Sequence, residues 1–455
     1  MVERDLRRRR EARLSCVFLS IVTLSLFTPR VFASNCSGTS VGFTPLHDLG
    51  PGSYQGFPGG LYPSGANARP PLHEINADLF ARLALLDPNG VASPTGRIVL
   101  LSIGMSNTTQ EFSRFVQLAS ADANRNQAVR VVDGAQGGWS ADRVVDPNQN
   151  SVFWTTVDQR LQAAGVTPLQ VEAVWLKEAD ASPTLPFPQD SQKLQSELQT
   201  IVQTLKSRYP NTRQIYFSSR IYAGYATSSL NPEPFSYESG FSVKWLIQDQ
   251  LGGSAALNFN PRRGPVVASW LSWGPYIWAD GLTPSSDGLT WDCADFQTTD
   301  GTHPSTSGRE KVANMLQDFF RADPVASRWY QDCAPSDAGA FSIPADALNV
   351  GFTGASAPRT LRWDHLAPSS GAATVHDVVT GNLKELRSTG SFAGAVCAAS
   401  GTGAASIPDP TPDPPVGEGT YYLVRGRNSC GAGTYGDSFS IPAPRAALDA
   451  ASPCP

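Results

Sequence analysis

Arg97-Ile-Val-Leu-Leu-Ser-Ile-Gly-Met-Ser106-Asn107 is the stretch from which the fold is read. Its apolar run, Ile98 to Ile103, has the length and β-branched content of a strand buried on both faces. The run ends at Gly104, and Ser106 stands two residues further on. Thr108-Thr-Gln-Glu111 follows with the spacing of a capping box, which predicts a helix start. A serine between a buried strand and a helix N-terminus lies at the carboxyl edge of the sheet, where open α/β sheets bind ligands. On local sequence alone Ser106 is a helix cap.

Downstream the chain alternates. Strands are expected at Ala128–Asp133, Val171–Leu176, Gln214–Phe217 and Val266–Trp270. A helix over roughly Asp190–Arg208 places Leu194, Leu198, Ile201, Val202 and Leu205 on one face. Another is expected near Phe241–Leu251. The last, about Thr306–Ala322, carries Val312, Met315, Leu316, Phe319 and Phe320 on one stripe and opens with Ser307-x-x-Glu310 as its capping box. Strand–helix alternation of this kind argues for a five-stranded parallel sheet covered by helices.

Upstream, residues 34–95 are rich in Gly and Pro and read as a wrapping segment with one short helix near Ile75–Leu86. His47 and His73 lie in it and are assigned surface or packing roles. Beyond Ala334 the character changes to short β-like runs, with strands expected at Leu361–Trp363, Thr374–Val379 and Tyr421–Val424 around the Pro/Asp loop 407–415. Residues 335–455 are therefore expected to form a small antiparallel β-sandwich. Its Leu-x-Trp start and Tyr-Tyr-Leu-Val-Arg-Gly run resemble a fibronectin type III module. His365 and His376 are read as surface residues.

The 455 residues exceed one ordinary core, in keeping with two domains. Residues 1–33 read as a secretory signal peptide, with basic Arg7–Arg10, an apolar stretch Leu14–Phe27 and a small-residue cleavage site at Val31-Phe-Ala33. That stretch is too short to span a bilayer. Without residues 1–33 the balance is 28 basic against 37 acidic residues, with no basic patch, which argues against a nucleic-acid partner. Six cysteines remain, an even number that fits disulfides in an exported chain; the expected pairs are Cys293 with Cys333 and Cys397 with Cys430. There is no Cys-x-x-Cys pair, so neither structural zinc nor another cofactor is expected.

The second chemical element is Thr299-Asp300-Gly-Thr-His303-Pro-Ser305, just before the last helix. An Asp three residues before a His can hold the imidazole through Nδ1–H and leave Nε2 free. A serine hydroxyl needs such an oriented base to act as a nucleophile. Taken alone the motif is more often simply a turn, and too few further His lie nearby to complete a metal site.

Together these pieces resemble the SGNH (GDSL-type) hydrolase family over roughly Arg97–Ala322. The family's Gly-Asp-Ser block reads Gly104-Met105-Ser106 here, so Ser106 takes the nucleophile's place while Met105 departs from the pattern. The second block, a Gly past the second strand, is matched by Gly138 in Asp133-Gly-Ala-Gln-Gly-Gly138-Trp-Ser-Ala141, with Gly137 as the fallback. The last block is matched by Asp300 and His303. The third block, Gly-x-Asn-Asp, fails: Lys177-Glu-Ala179-Asp180 puts Ala179 where the family's oxyanion-donating Asn stands. Lys177 is a substitute donor or, with Glu178, one half of a surface pair.

The resemblance implies a flavodoxin-like three-layer sandwich and a secreted or periplasmic serine esterase working through an acyl-enzyme. Ser106, His303 and Asp300 would form the triad, with the N–H groups of Ser106 and Gly138 facing the oxyanion. Trp270, Trp273, Trp278 and Trp291 cluster just upstream of the Asp/His turn; Trp139, Trp273, Trp278 and Trp291 are the candidate sugar-stacking residues, equally readable as packing under a loop. The expected substrate is a carbohydrate or glycan ester, small or polymeric. The rivals are a lipase or arylesterase and a non-catalytic surface-binding protein on the same fold.

Overall fold

Five apolar runs pair side by side in the computed structural model, which describes residues 33–334, 339–354, 357–436 and 445–455. They are β1 (Ile98–Gly104), β2 (Val129–Asp133), β3 (Val171–Lys177), β4 (Gln214–Phe217) and β5 (Trp270–Trp273). All pairings are parallel, in the order β2-β1-β3-β4-β5. This is the flavodoxin-like order, whose direction reverses at β1/β3. Every residue of β1 and β3 is buried, which explains why their sequences run apolar without alternation. The fold is α/β, as the alternation implied.

The longer helices, those of ten residues or more, are α1 (Pro71–Phe80), α2 (Ser106–Ala121), α3 (Asn150–Ala163), α4 (Gln189–Arg208), α5 (Phe235–Leu251) and α6 (Thr306–Ala322). The register puts Ser102, Trp175, Tyr216 and Ser272 on one face of the sheet. There α2 and α6 pack together: Phe112 stacks on Trp175 at 5.5 Å, and Phe320 meets Phe115 and Tyr216 at 5.6 and 5.8 Å. Each aromatic fully buried this way contributes about 1.5–3 kcal/mol. Leu194, Leu198, Ile201, Val202 and Leu205, the predicted stripe, are the buried residues of α4, which packs against α5.

Several boundaries differ from the sequence reading. The fifth strand starts at Trp270 instead of ending there, because Val266 and Val267 follow Gly264-Pro265 at the surface, each 36% exposed. α1 runs Pro71–Phe80 and α5 starts at Phe235, six residues early. Neither predicted capping box forms. α2 begins at Ser106 behind Met105 without a side-chain cap, and α6 is capped by Ser305, whose hydroxyl accepts from Gly308 N–H.

The N-terminal segment makes contacts far along the chain. Cys36 is joined to Cys293, Leu46 N–H donates to Tyr276 and Tyr62 pairs with Ser272 at 2.9 Å. The remaining disulfides are Cys333–Cys430 and Cys397–Cys454. Both predicted pairs are wrong, since they joined sequence neighbours whereas the wrapping segment and the C-terminal tail supply the true partners. The signal-peptide reading covers residues 1–33, of which 1–32 lie outside the described part.

The C-terminal region holds two antiparallel sheets, from β6 (Gly351–Thr353), β7 (Arg359–Arg362), β8 (Val375–Asn382), β9 (Val396–Thr402), β10 (Ser406–Asp409), β11 (Thr420–Asn428) and β12 (Gly431–Ala432). Their orders are β9-β8-β11-β12 and β10-β7-β6, and Leu361, Trp363, Val378 and Val424 form a core shared between them. His376 is fully buried in β8, contrary to its surface reading, whereas His365 is exposed. No described helix is long and apolar enough to cross a membrane.

Candidate active site

β1 delivers Ser106 to the carboxyl edge through a turn that only glycine fits. A Cβ on Gly104 would lie 2.3 Å from Lys177 O and 2.4 Å from Thr108 Oγ1, closer than any side chain tolerates. The Thr108 hydroxyl donates to Lys177 O at 2.7 Å, so it ties α2 to β3 instead of capping the helix. Asp133, the last residue of β2, accepts from Ser102 and Thr109 hydroxyls at 2.6 Å each, fixing the same turn from the other side.

The Asp/His turn arrives from before α6. Asn107 Nδ2 donates to Thr302 O at 3.0 Å and clamps the two loops together. His303 Nε2 lies 2.8 Å from Ser106 Oγ, and its Nδ1 lies 2.6 Å from Asp300 Oδ2. The other Asp300 oxygen accepts the backbone N–H groups of Thr302 and His303 at 2.8 and 3.0 Å. Burial disfavours the Asp300 carboxylate, but the hydrogen bonds from His303 and Thr302 outweigh it and hold its pKa below the usual value. The three residues read from two distant motifs therefore meet in one hydrogen-bonded row.

The loop after β2 lies beside Ser106. Gln136 N–H donates to Gly104 O at 2.8 Å, and a Cβ on Gly137 would sit 3.9 Å from Ser106 Cβ. Gly138 adopts φ +77°, its carbonyl held by Arg143, whose guanidinium also stacks over Trp139 at 4.8 Å. The N–H groups of Ser106 and Gly138 donate to no described acceptor, so both are free to face an oxyanion. Ser106, Gly138, Trp139 and His303 line one cavity of about 260 Å³. Clefts of about 390 and 430 Å³ elsewhere hold none of these groups.

Other expected residues are not there. Trp273, Trp278 and Trp291 are 2%, 0% and 0% exposed, with indole N–H groups on Leu61 O, Glu233 and Ile277 O. Trp270 is likewise buried against His73. They pack beneath the long loop, and of the named tryptophans only Trp139 lines the cavity. Lys177 and Glu178 are not a surface pair. Lys177 Nζ sits 2.6 and 2.5 Å from the Glu111 oxygens with both side chains wholly buried, so it is taken before it could serve an oxyanion. Burial pushes Lys177 down to about 8 against the pull of Glu111, and burial raises Glu178 well above the carboxylate range. Ala179 is buried and offers no donor side chain.

Sequence reasoning missed Asn107, Arg143, Arg220 and Asn231, all of which line the cavity. Arg220 ends Ser218-Ser-Arg220 directly after β4, at the same carboxyl edge, and a charge in that position was the available signal. Among the described residues no group of His, Cys, Asp and Glu has a metal-holding arrangement.

No protein-family model and no curated protein matches the chain. Among solved structures it is similar to a candidate platelet activating factor of Streptococcus pneumonia, at 15% identity and a TM-score of 0.29, covering 49% of this chain and 84% of that one. A protein of Arabidopsis thaliana matches at 13% and 0.26, covering 46% and 67%. A chitinase from Bacillus thuringiensis matches at 12% and 0.23, covering 70% and 65%. Scores of this size leave the chemistry to be argued from the residues themselves.

Proposed function

We propose that the protein is an exported serine ester hydrolase of the SGNH type, acting on a carbohydrate or glycan ester. The observation that carries this reading is the row Ser106 Oγ, His303 Nε2, His303 Nδ1, Asp300 Oδ2, with steps of 2.8 and 2.6 Å at the carboxyl edge of the sheet. His303 takes the Ser106 proton as Oγ attacks the ester carbonyl, and Asp300 stabilises the imidazolium. The free N–H groups of Ser106 and Gly138 steady the tetrahedral oxyanion. The C–O bond to the alcohol breaks, His303 returns the proton to the departing oxygen, and water repeats the sequence to release the acid. Three disulfides support an oxidising compartment. The sugar reading leans on Trp139 alone, because the other tryptophans are in the core.

A fluorophosphonate probe tests the catalytic reading. Wild-type protein is expected to label at Ser106 and Ser106→Ala is not; an unlabelled wild type would leave the rival, a binding protein on this fold, which the missing third-block Asn favours. Acetylated xylan, a short aryl ester and a long-chain ester test the substrate class. Hydrolysis of the last two with the xylan ester untouched would make it an arylesterase or lipase.

A further inference from the structure

Four charged or titratable side chains line the triad cavity, and three are engaged. His303 is in the triad, Asp180 is paired with Lys193, and Arg143 is held by Gly138 O and Trp139. Arg220 is the exception. It is 1% exposed, yet its guanidinium makes no hydrogen bond or ion pair with any described residue, and Nε is buried without a partner. Glu111, Glu233, Glu178 and Asp300 act on its charge, but none forms an ion pair or hydrogen bond with it, and a buried donor left without a partner is costly. A second orphan stands on the same wall: Asn231 is 3% exposed, Oδ1 is buried without a donor, and the residue holds a left-handed φ of +51°. Backbone strain at such a residue requires compensation from its surroundings. Asn231 N–H fixes it to Ala181 O at 3.1 Å, so the amide is positioned, not adrift.

The placement also gives the side of the ester. The segment that follows Arg220 is tied to the Asp/His turn: Thr227 N–H donates to Asp300 O at 3.2 Å, and the Ser228 and Thr302 hydroxyls lie 3.3 Å apart. Arg220 follows β4 and the Gly138 loop follows β2, on opposite sides of β1, so Arg220 stands on the Asp/His-turn side of the cavity while Gly138 N–H and Arg143 occupy the other. The alcohol leaves toward His303, because it takes its proton from Nε2.

The geometry points to an anion subsite for the alcohol half of the substrate: Arg220 binds a carboxylate on the esterified alcohol, and the Asn231 amide receives a neighbouring hydroxyl, as an acylated sugar acid would present. This rests on the hydrolase reading and narrows it to anionic esters. Guanidinium and carboxylate match as a planar, two-point pair, and in a water-poor cavity such a contact discriminates strongly against a neutral isostere.

The test compares 3-acetoxybenzoate with 3-acetoxybenzamide, which differ in charge but hardly in shape. Wild type is expected to prefer the carboxylate by about tenfold or more in kcat/KM, and Arg220→Met to bring the ratio of the two to about one. The ratio cancels any loss common to both esters. A wild-type ratio at or below one, or a ratio that Arg220→Met leaves unchanged, overturns the subsite and returns Arg220 to general support of the site. Calorimetry on wild-type protein covers the case of a variant that does not fold: 3-hydroxybenzoate is expected to bind about tenfold more tightly than 3-hydroxybenzamide, and equal binding overturns the proposal. The two readings fail separately, since absent fluorophosphonate labelling defeats hydrolysis and equal binding defeats the subsite.

Discussion

Replacing Asp300 by Asn separates a working triad from a turn that merely resembles one. Asp300 Oδ1 accepts two backbone N–H groups, and Oδ2 faces His303 Nδ1 at 2.6 Å. The Asn oxygen can keep the first two bonds, so the turn and the clamp from Asn107 persist. The Asn NH₂ must then face Nδ1, and two donors cannot share that contact. The imidazole is driven to the tautomer with its proton on Nε2, where it can no longer accept from Ser106. The charge that stabilised the imidazolium is lost as well. For an oriented Ser/His/Asp row this substitution lowers kcat by about 10⁴, close to 5 kcal/mol of barrier. Single-turnover hydrolysis of an aryl acetate by Asp300→Asn, with the rate of fluorophosphonate labelling beside it, reads the effect directly. Both rates should fall together while the urea midpoint hardly moves. A loss under about tenfold would mean that Asp300 only shapes the turn, and the catalytic assignment of the row would fall with it.

The same geometry supports three further outcomes. Gly138→Ala, strained at φ +77°, should displace an oxyanion N–H and lower kcat by about 10², whereas Gly137→Ala, which meets only Ser106 Cβ at 3.9 Å, should cost far less; the reverse order would move the donor to Gly137. Lys177→Met leaves Glu111 buried and unpaired and should destabilise the fold by about 3–5 kcal/mol in urea unfolding, with Glu111→Gln in the same chain restoring part of it; a neutral effect would show that the pair does not hold charge. Burial raises Glu172 well above its ordinary pKa, with Ala84 N–H on one oxygen. A raised carboxyl pKa means that the folded state holds the proton more tightly, so its contribution is full below about pH 4.5 and declines as pH rises. Glu172→Gln should therefore flatten the fall in stability above that pH, and unchanged slopes would refute the assignment.

The sheet was legible because its strands are written in β-branched apolar runs too long to be anything but buried. Ile98–Gly104 and Val171–Lys177 need no partner to be recognised. α6 was legible to the residue, since Val312, Leu316 and Phe320 form a stripe that only a helix makes continuous. β5 was misplaced because Trp-Leu-Ser-Trp273 carries no β-branched residue, while Val266 and Val267 carry the pattern without the burial. The Ser106, His303 and Asp300 row was readable because each motif sits at the end of a strand or the start of a helix, and parallel strands deliver all such ends to one edge. The tryptophans and disulfides were not readable in this way. Whether an indole faces a cavity or a loop's underside, and which cysteine a wrapping segment carries to Cys293, depends on chain paths that no local pattern encodes.

The end of β3 bears on the site even where it departs from the SGNH pattern proposed above. Ala179 stands where that pattern has its donor Asn, whereas Lys177, at the same strand end, makes two contacts with α2. Its carbonyl takes the Thr108 hydroxyl, and its ammonium takes Glu111 one turn further along α2. Both contacts fasten the first turns of α2 to the end of β3, and Ser106 is the first residue of that helix. A nucleophile displaced by 1 Å loses much of its rate, so a tether that fixes the helix start acts on catalysis without touching substrate. It follows that Thr108→Val, which deletes one hydroxyl and keeps the shape, should lower kcat more than it lowers stability. Equal losses in both would reduce the β3 end to ordinary packing and leave the position of Ser106 to Asp133 and Gly104 alone.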